Sequence, residues 1–170
     1  MTNKKASLVE HQMTLSKMIY GNWIQQCTYA FAELAMADTL YNSSKTCEAL
    51  AKDLNLKMAY LRPFLRCVDE LGFIKFNIKT KKYVLTELGE LLRSDHAYSK
   101  RAEARLNGVD YRYNPWGNLV NILKNGNRKE YSPTIEIGTL TYLKEKPDHL
   151  QVFHEAMLKI WKTEDSKIVK

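Results

Sequence analysis

The groups of this chain whose spacing could hold a metal are the histidines His11, His96, His149 and His154 and the cysteines Cys27, Cys47 and Cys67, which could alternatively pair in disulfides. Two imidazoles share a metal on one helix when they stand at i and i+4, one turn apart on a single face. His149 and His154 are five apart on a predicted helix, so their rings diverge and they read as surface or packing residues. The cysteines are widely spaced without a C-x-x-C pair, so neither a zinc cluster nor a disulfide framework is indicated. Three free, mostly buried thiols are expected instead, in a reducing compartment. No H-E-x-x-H, G-x-S-x-G or phosphate-loop pattern is present. Gly21, Gly72, Gly89, Gly108, Gly117, Gly126 and Gly138 stand too far apart for a G-x-G nucleotide loop, so these residues cannot build a Rossmann-type cofactor site. No catalytic residue, metal or bound cofactor is assigned to the chain.

Residues suited to binding are better represented. Lys75, Lys79, Lys81 and Lys82 cluster in one short segment, and Arg62 and Arg66 stand one turn apart on a predicted helix, where a DNA reader would place them. Pro63 near the start of that helix argues against this. So do Met58 to Leu61, which are apolar or aromatic where base-reading polar groups are required. The lysines suit equally well a solvated hairpin whose charges keep an exposed edge from pairing with other chains. Trp116, Phe153, Met157 and Trp161 could line a pocket for a flat organic molecule or, at helical spacing, simply form core.

The elements that must position these groups follow from local pattern. Leu8, Leu15, Met18, Ile19 and Trp23 recur at roughly helical spacing, predicting an amphipathic first helix that ends or bends near Gly21. "WIQQCTYAFAELAMADTL", from Trp23 to Leu40, is apolar or small on most sides and predicts one buried helix, ended by Asn42, Ser43 and Ser44. Thr46 is the expected N-cap of a helix of about two turns with Ala49, Leu50 and Leu54 inward. A tight turn over Leu54 to Lys57 leads to a second helix with Leu61, Phe64, Leu65, Val68 and Leu71 inside, and Gly72 at its C-terminal cap. Phe73 to Phe76 and Lys82 to Leu85 form a hairpin. Helix, turn, helix and hairpin make a winged helix. Thr86 should cap a helix from Glu87 to Arg93. "NPWGNLVNILKNG" predicts a helix with Asn114 as N-cap, Pro115 first, Lys124 in the last turn and Gly126 after it. A last helix begins at Pro147, with Leu150, Phe153, Met157 and Ile160 or Trp161 on one stripe. The chain is thus mainly α, a winged-helix-like unit with one β-hairpin between N-terminal and C-terminal helices.

At 170 residues, 45% apolar and 26% charged, it has the balance of a globular protein with one core-forming domain and no room for two catalytic ones. Its net charge of +7 is shared between the halves, 12 basic against 9 acidic residues up to position 90 and 14 against 10 after it, with no basic tail. The N-terminus has lysines but no apolar h-region, and no stretch approaches membrane-span length, so a cytoplasmic protein without a membrane partner is expected.

Five stretches in order, "YGNWIQQCTYAFAELAMADTL", "KTCEALAKDLNLKMAYLRPFLRCVDELGFI", "YVLTELGELLRSDHAYSKR", "NPWGNLVNILKNG" and "FHEAM", resemble the N-terminal domain of small-molecule O-methyltransferases that use S-adenosylmethionine, the group of plant caffeate-type and bacterial polyketide-tailoring enzymes. The resemblance covers about residues 15–160. It implies a winged helix that does not bind DNA and N-terminal helices that interlock with those of a second subunit. It further implies a domain that closes one side of the pocket for an aromatic or polyketide-like acceptor. Phe153, His154 and Met157 match the family's helix that leads towards the catalytic domain and contacts acceptor, and Trp116 and Asn114 match a second stretch near that pocket. The resemblance divides the chain into dimerisation helices (1–41), a winged-helix-like core (42–95) and a helical substrate-capping segment (96–170). In the family a Rossmann-like domain with the cofactor loop and the general-base histidine comes next. "YSPTIEIGTLTYLKEKP" departs from the family's usual segment, which often carries phenylalanine near Leu140 to Tyr142. The expected function is that of a dimerisation and capping domain, inactive when isolated. The rival readings are a winged-helix transcription regulator, with DNA the less favoured partner, and a stand-alone small-molecule binder or adaptor.

Overall fold

The computed structural model describes residues 7–126, 134 and 138–168, with side chains described as far as Lys159. The first helix, α1 (Leu8–Ile19), opens with a capping box. The Ser7 hydroxyl accepts from the Glu10 N–H, while the Glu10 carboxylate accepts from the Ser7 N–H. α1 closes at Tyr20, whose N–H donates to Ser16 O, and α2 (Gly21–Glu33) follows at once, as the Gly21 break predicts.

The predicted single helix from Trp23 to Leu40 is two helices. Ala35 adopts a left-handed backbone (φ 51°, ψ 35°), which separates α2 from α3 (Met36–Tyr41). A left-handed non-glycine residue costs about 1 kcal/mol, and burial of Met36, Ala37 and Leu40 behind the break offsets it. The first part of that segment is not buried either, since Trp23 is 65% exposed.

α4 (Cys47–Asp53) and α5 (Met58–Glu70) form the helix-turn-helix. The Thr46 hydroxyl accepts from the Ala49 N–H at 3.2 Å, as expected of the cap. α5 ends in a Schellman motif, with Gly72 at φ 81°, its N–H on Asp69 O and the Phe73 N–H on Val68 O. β1 (Ile74–Asn77) and β2 (Lys82–Leu85) pair antiparallel with Phe76 opposite Tyr83. The Asn77 side chain accepts from the Lys79 and Thr80 N–H groups and shapes the turn. Lys45, just before α4, exchanges two backbone hydrogen bonds with Tyr83 and gives the wing a third short partner.

α6 (Glu87–Glu90) is shorter than the helix predicted to reach Arg93. After it, the N–H groups of Leu92 and Arg93 bond three residues back to Gly89 and Glu90, a tighter winding than the α-helix. The Thr86 cap joins the start of α6 to the end of α5, accepting from the Gly89 N–H while its hydroxyl donates to Gly72 O at 2.6 Å. A Cβ on Gly89 would fall 2.0 Å from Phe73 O, so only glycine lets α6 approach the wing this closely.

Then come α7 (Arg101–Gly108), α8 (Asp110–Gly117), α9 (Leu119–Asn125), α10 (Thr139–Lys144) and α11 (Pro147–Ile168). Asn114 is not the N-cap predicted for it. The helix begins four residues earlier at Asp110, with Pro115 inside it, and breaks at Asn118, after which α9 runs to Gly126 (φ 69°). Pro115, expected at the first helical position, lies inside α8 and cannot donate back to Tyr111 O, while the division falls three residues later at Asn118.

Two apolar clusters result. The larger joins α2, α3, α4, α5 and the wing through Phe31, Met36, Leu50, Leu65, Val68 and Ile74, and the smaller joins α7, α8, α10 and α11 through Leu106, Tyr111, Leu143, Val152 and Ala156. α7 packs between them, close enough to α2 that a Cβ on Gly108 would meet the Tyr29 ring at 2.0 Å.

Candidate functional site

The segment between the clusters is held by guanidinium groups. Arg105 on α7 donates to Glu33 of α2 at 2.7 Å and to Glu155 of α11 at 2.8 Å, tying three helices at one point. Burial opposes the Arg105 charge, but the hydrogen bond and field of Glu33, with Glu155, outweigh it and hold the pKa above its ordinary value. Arg101, one turn earlier, donates to Ala32 O at 2.9 Å near the end of α2. Arg93 lies over the Tyr41 ring at 3.0 Å and donates to Asp95 at 2.8 Å, and the Asp38 carboxylate accepts from both the Ser94 N–H and hydroxyl. The "LTELGELLRSD" segment is therefore a clamp that fastens the wing to α3 and leads into α7.

Of the five residues proposed to meet an acceptor, Phe153 and Met157 lie one turn apart on α11, half-buried against the smaller cluster. Val152 and Ala156 form the more deeply buried face of that helix, so Phe153 and Met157 flank the core and do not make it. His154 is exposed on the same helix, its ring 6.2 Å from that of Phe153. Asn114 and Trp116 sit on α8 and are exposed, Trp116 at 70%. The fold thus groups Phe153, His154 and Met157 on one helix and Asn114 and Trp116 on another. The further stripe positions, Ile160 and Trp161, lie outside the described side chains.

Sequence reasoning missed an aromatic cluster beside them. Tyr111, Tyr142 and His149 bring their rings together at centroid separations of 5.1, 5.3 and 6.0 Å. His149 has Nδ1 3.3 Å from the Tyr142 hydroxyl and Nε2 3.8 Å from the Asp110 carboxylate. Burial pushes the phenol pKa of both tyrosines above the usual range. No local pattern could reveal this cluster, because α8, α10 and α11 meet only in the folded chain.

Two open clefts flank α7. One, of about 310 Å³, is edged by Ser94, Ser99, Arg101, Glu155 and Leu158, and the other, of about 390 Å³, by Gln25, Thr28, Leu92, Lys100 and Asn107. None of the five candidate acceptor residues lines either.

On the wing, Arg62 pairs with Glu48 at 3.4 Å and Lys75 with Asp69 at 3.8 Å, while Arg66, Lys79, Lys81 and Lys82 are exposed. The thiols depart from expectation, since Cys47 is buried and Cys27 half-buried, but Cys67 is exposed. Among the described residues no group of three or more His, Cys, Asp or Glu could hold a metal, and no helix is long and apolar enough to cross a membrane.

The widest apolar exposure is N-terminal. α1 has no buried residue, and Leu8, Val9, Met13, Leu15, Met18 and Ile19 are each more than half exposed. Trp23 continues this surface onto α2, its ring 5.2 Å from that of Tyr20.

Comparison with known proteins bears on this arrangement. No protein-family model matches the chain. A phenazine O-methyltransferase of Lysobacter antibioticus is 30% identical over 156 residues, which are 91% of this chain and 44% of that enzyme. The chain is a relative of O-methyltransferases. It spans about half the length of the relatives it matches. The crystal structure titled LaPhzM superposes with a TM-score of 0.81 at 27% identity, over 93% of this chain and 47% of that one. Human N-acetylserotonin methyltransferase, solved in complex with SAM, shares the fold with a TM-score of 0.75 at 20% identity, over 94% of this chain and 48% of its own. The mainly α, winged-helix-like architecture with a single hairpin is thus the O-methyltransferase relatives' architecture over this stretch.

Proposed function

We propose that these residues form the dimerisation and substrate-capping part of a small-molecule O-methyltransferase that uses S-adenosylmethionine. The observation that carries this reading is the match to a phenazine O-methyltransferase, which takes in 91% of this chain but 44% of the enzyme. A relative that aligns almost wholly with part of an enzyme is most simply the same part.

The described residues suit that role, and we assign them no part in the transfer itself. Among the described residues the sheet is one two-stranded antiparallel hairpin, and the glycines are too scattered for a G-x-G nucleotide loop, which supports reading these residues as not holding S-adenosylmethionine. We assign no step of methyl transfer to this chain, and we read its role as positioning the acceptor and excluding water around it. Residues 1–41 would supply the dimer contact, 42–95 the winged-helix frame and 96–170 the pocket wall. Phe153 and Met157 would contribute apolar surface for a flat aromatic acceptor, with His154, Trp116 and Asn114 at its edge. The N-terminal apolar face would meet the same face of a second copy, as a self-complementary contact about a two-fold axis requires.

Light scattering tests the dimer, with an expected mass about twice the 19.8 kDa of one chain. Leu15→Asp with Met18→Asp should halve that mass without loss of helicity, and a wild-type monomer at tens of micromolar would overturn the contact. Calorimetric titration with S-adenosylmethionine should show no heat of binding to the 170 residues, and micromolar affinity would refute the division of labour.

A further inference from the structure

We propose that the tip of the β1–β2 hairpin is a docking element for an anionic phospholipid surface, with Ile78 entering the headgroup layer and Lys75, Lys79, Lys81 and Lys82 meeting its negative charge. The proposal does not depend on the methyltransferase reading.

The hairpin is fixed at its base and bare at its tip. Ile74 and Tyr83 are buried in the larger cluster, and the Phe76 ring lies 4.9 Å from that of Tyr83. Asn77 holds the turn through the Lys79 and Thr80 N–H groups, and Lys81 closes it with a left-handed backbone (φ 56°). The tip thus stands in solvent as a formed loop, and residues 77–82 are all exposed. Ile78 is 71% exposed there, and Val84, opposite Lys75 in the register, is 45% exposed.

Charge at this end of the molecule has one sign. Gly72 to Thr86 contains four lysines and no carboxylate, which accounts for more than half of the net charge of +7. Of the four, only Lys75 has an ion pair among the described residues, a long one of 3.8 Å to Asp69 that leaves its side chain 78% exposed.

Lysines that guard a sheet edge explain the charge but give no reason for a large apolar side chain at the turn. An apolar tip among lysines matches an interface where hydrocarbon and negative charge lie close together, and an anionic headgroup layer has that profile. Such a layer also yields around a protruding side chain, whereas a protein partner would need a preformed hollow. Nucleic acid would satisfy the lysines, but Ile78 offers no ring to stack on a base, and Arg62 on the neighbouring helix pairs with Glu48 at 3.4 Å. The expectation of no membrane partner follows from the lack of a span, and surface docking needs none.

The test sediments the full chain with vesicles of phosphatidylcholine, either pure or with one lipid in three replaced by phosphatidylserine. The chain should bind the mixed vesicles, leave the pure ones, and come off in high salt. A lysine near such a surface strengthens binding roughly fivefold, so Lys79→Glu with Lys81→Glu should weaken it more than about twenty-fold. Ile78→Ser should weaken it about fivefold by removing the apolar contact. All three side chains are exposed, so both variants should melt with the wild type. A wild-type chain that stays in the supernatant would sink the proposal. So would variants that bind as tightly as the wild type, which would move the contact to the apolar face of α1. Tighter binding to a DNA duplex, unchanged by Ile78→Ser, would assign the lysines to nucleic acid and end the lipid reading as well.

Discussion

α1 and α5 are both amphipathic helices of similar length, and they meet opposite fates. α5 sets Leu61, Leu65 and Val68 into the larger cluster with no more than 3% exposure, whereas α1 leaves Leu15 at 58% and Met18 at 71%. Both have sound local credentials. α1 even has the better start, a reciprocal capping box, where α5 begins at Lys57 without a side-chain cap. An apolar stripe is thus a demand for cover, and what supplies the cover is not written in the stripe. For α5 the chain itself supplies it. For α1 the surface runs on into Trp23, which is why a second copy is the proposed cover.

The sharpest way to break this comparison is to truncate one side chain on each helix. Leu65→Ala should cost about 3 kcal/mol of folding stability in urea titrations, because its site is closed on every side. Leu15→Ala should change the stability of the isolated monomer by no more than about 0.5 kcal/mol while weakening self-association. Equal losses at the two positions in the monomer would mean that α1 is covered within the chain.

Gly108→Ala comes next, at about 2 kcal/mol, since the added methyl group would run into the Tyr29 ring and push α2 off α7. Tyr29→Ala in the same chain should cost less than the sum of the two single changes, the mark of a shared contact. Arg105→Met should lower stability by about 1–2 kcal/mol by leaving Glu33 and Glu155 facing each other's helices unpaired, and both carboxylates keep enough water access to limit the loss. Its midpoint in chemical denaturation should become less sensitive to salt.

The smallest effect is expected at the clamp. The hydrogen bond from Arg93 holds the Asp95 carboxyl below its ordinary 3.8, so its stabilising contribution is complete above that pH and is lost as pH falls through the lower folded value. Asp95→Asn should therefore lower the melting temperature slightly at neutral pH and flatten its acid limb, and an unchanged acid limb would show that the pair contributes nothing.

Local chemistry made much of the fold readable in the sequence. Thr46 and Thr86 cap their helices, Gly72 and Gly126 turn left-handed at helix ends, Pro147 opens the last helix, and the hairpin pairs almost where the β-rich runs place it. Each of these features satisfies backbone groups within a few residues, so the signal and its cause lie together in the chain. The failures share a different origin. Nothing near Ala35 requires a left-handed break, and the need to turn Met36 and Leu40 into the core decides it. Asn114 has the credentials of an N-cap, yet the helix starts at Asp110, where Tyr111 can reach Tyr142 and His149.

The candidate site divides along the same line. Helical spacing places Phe153 and Met157 on one stripe, a local property, whereas their proposed contact with an acceptor comes from the family resemblance. The sequence by itself determined the helices, their caps and which faces are apolar, since those depend on interactions a turn or two apart. Only the tertiary structure decided that Arg105 joins three helices, that Gly89 and Gly108 must be glycine, and that Tyr111, Tyr142 and His149 bring their rings together. Those outcomes depend on chain segments remote in sequence arriving at the same place, and no periodicity along one helix encodes its neighbour.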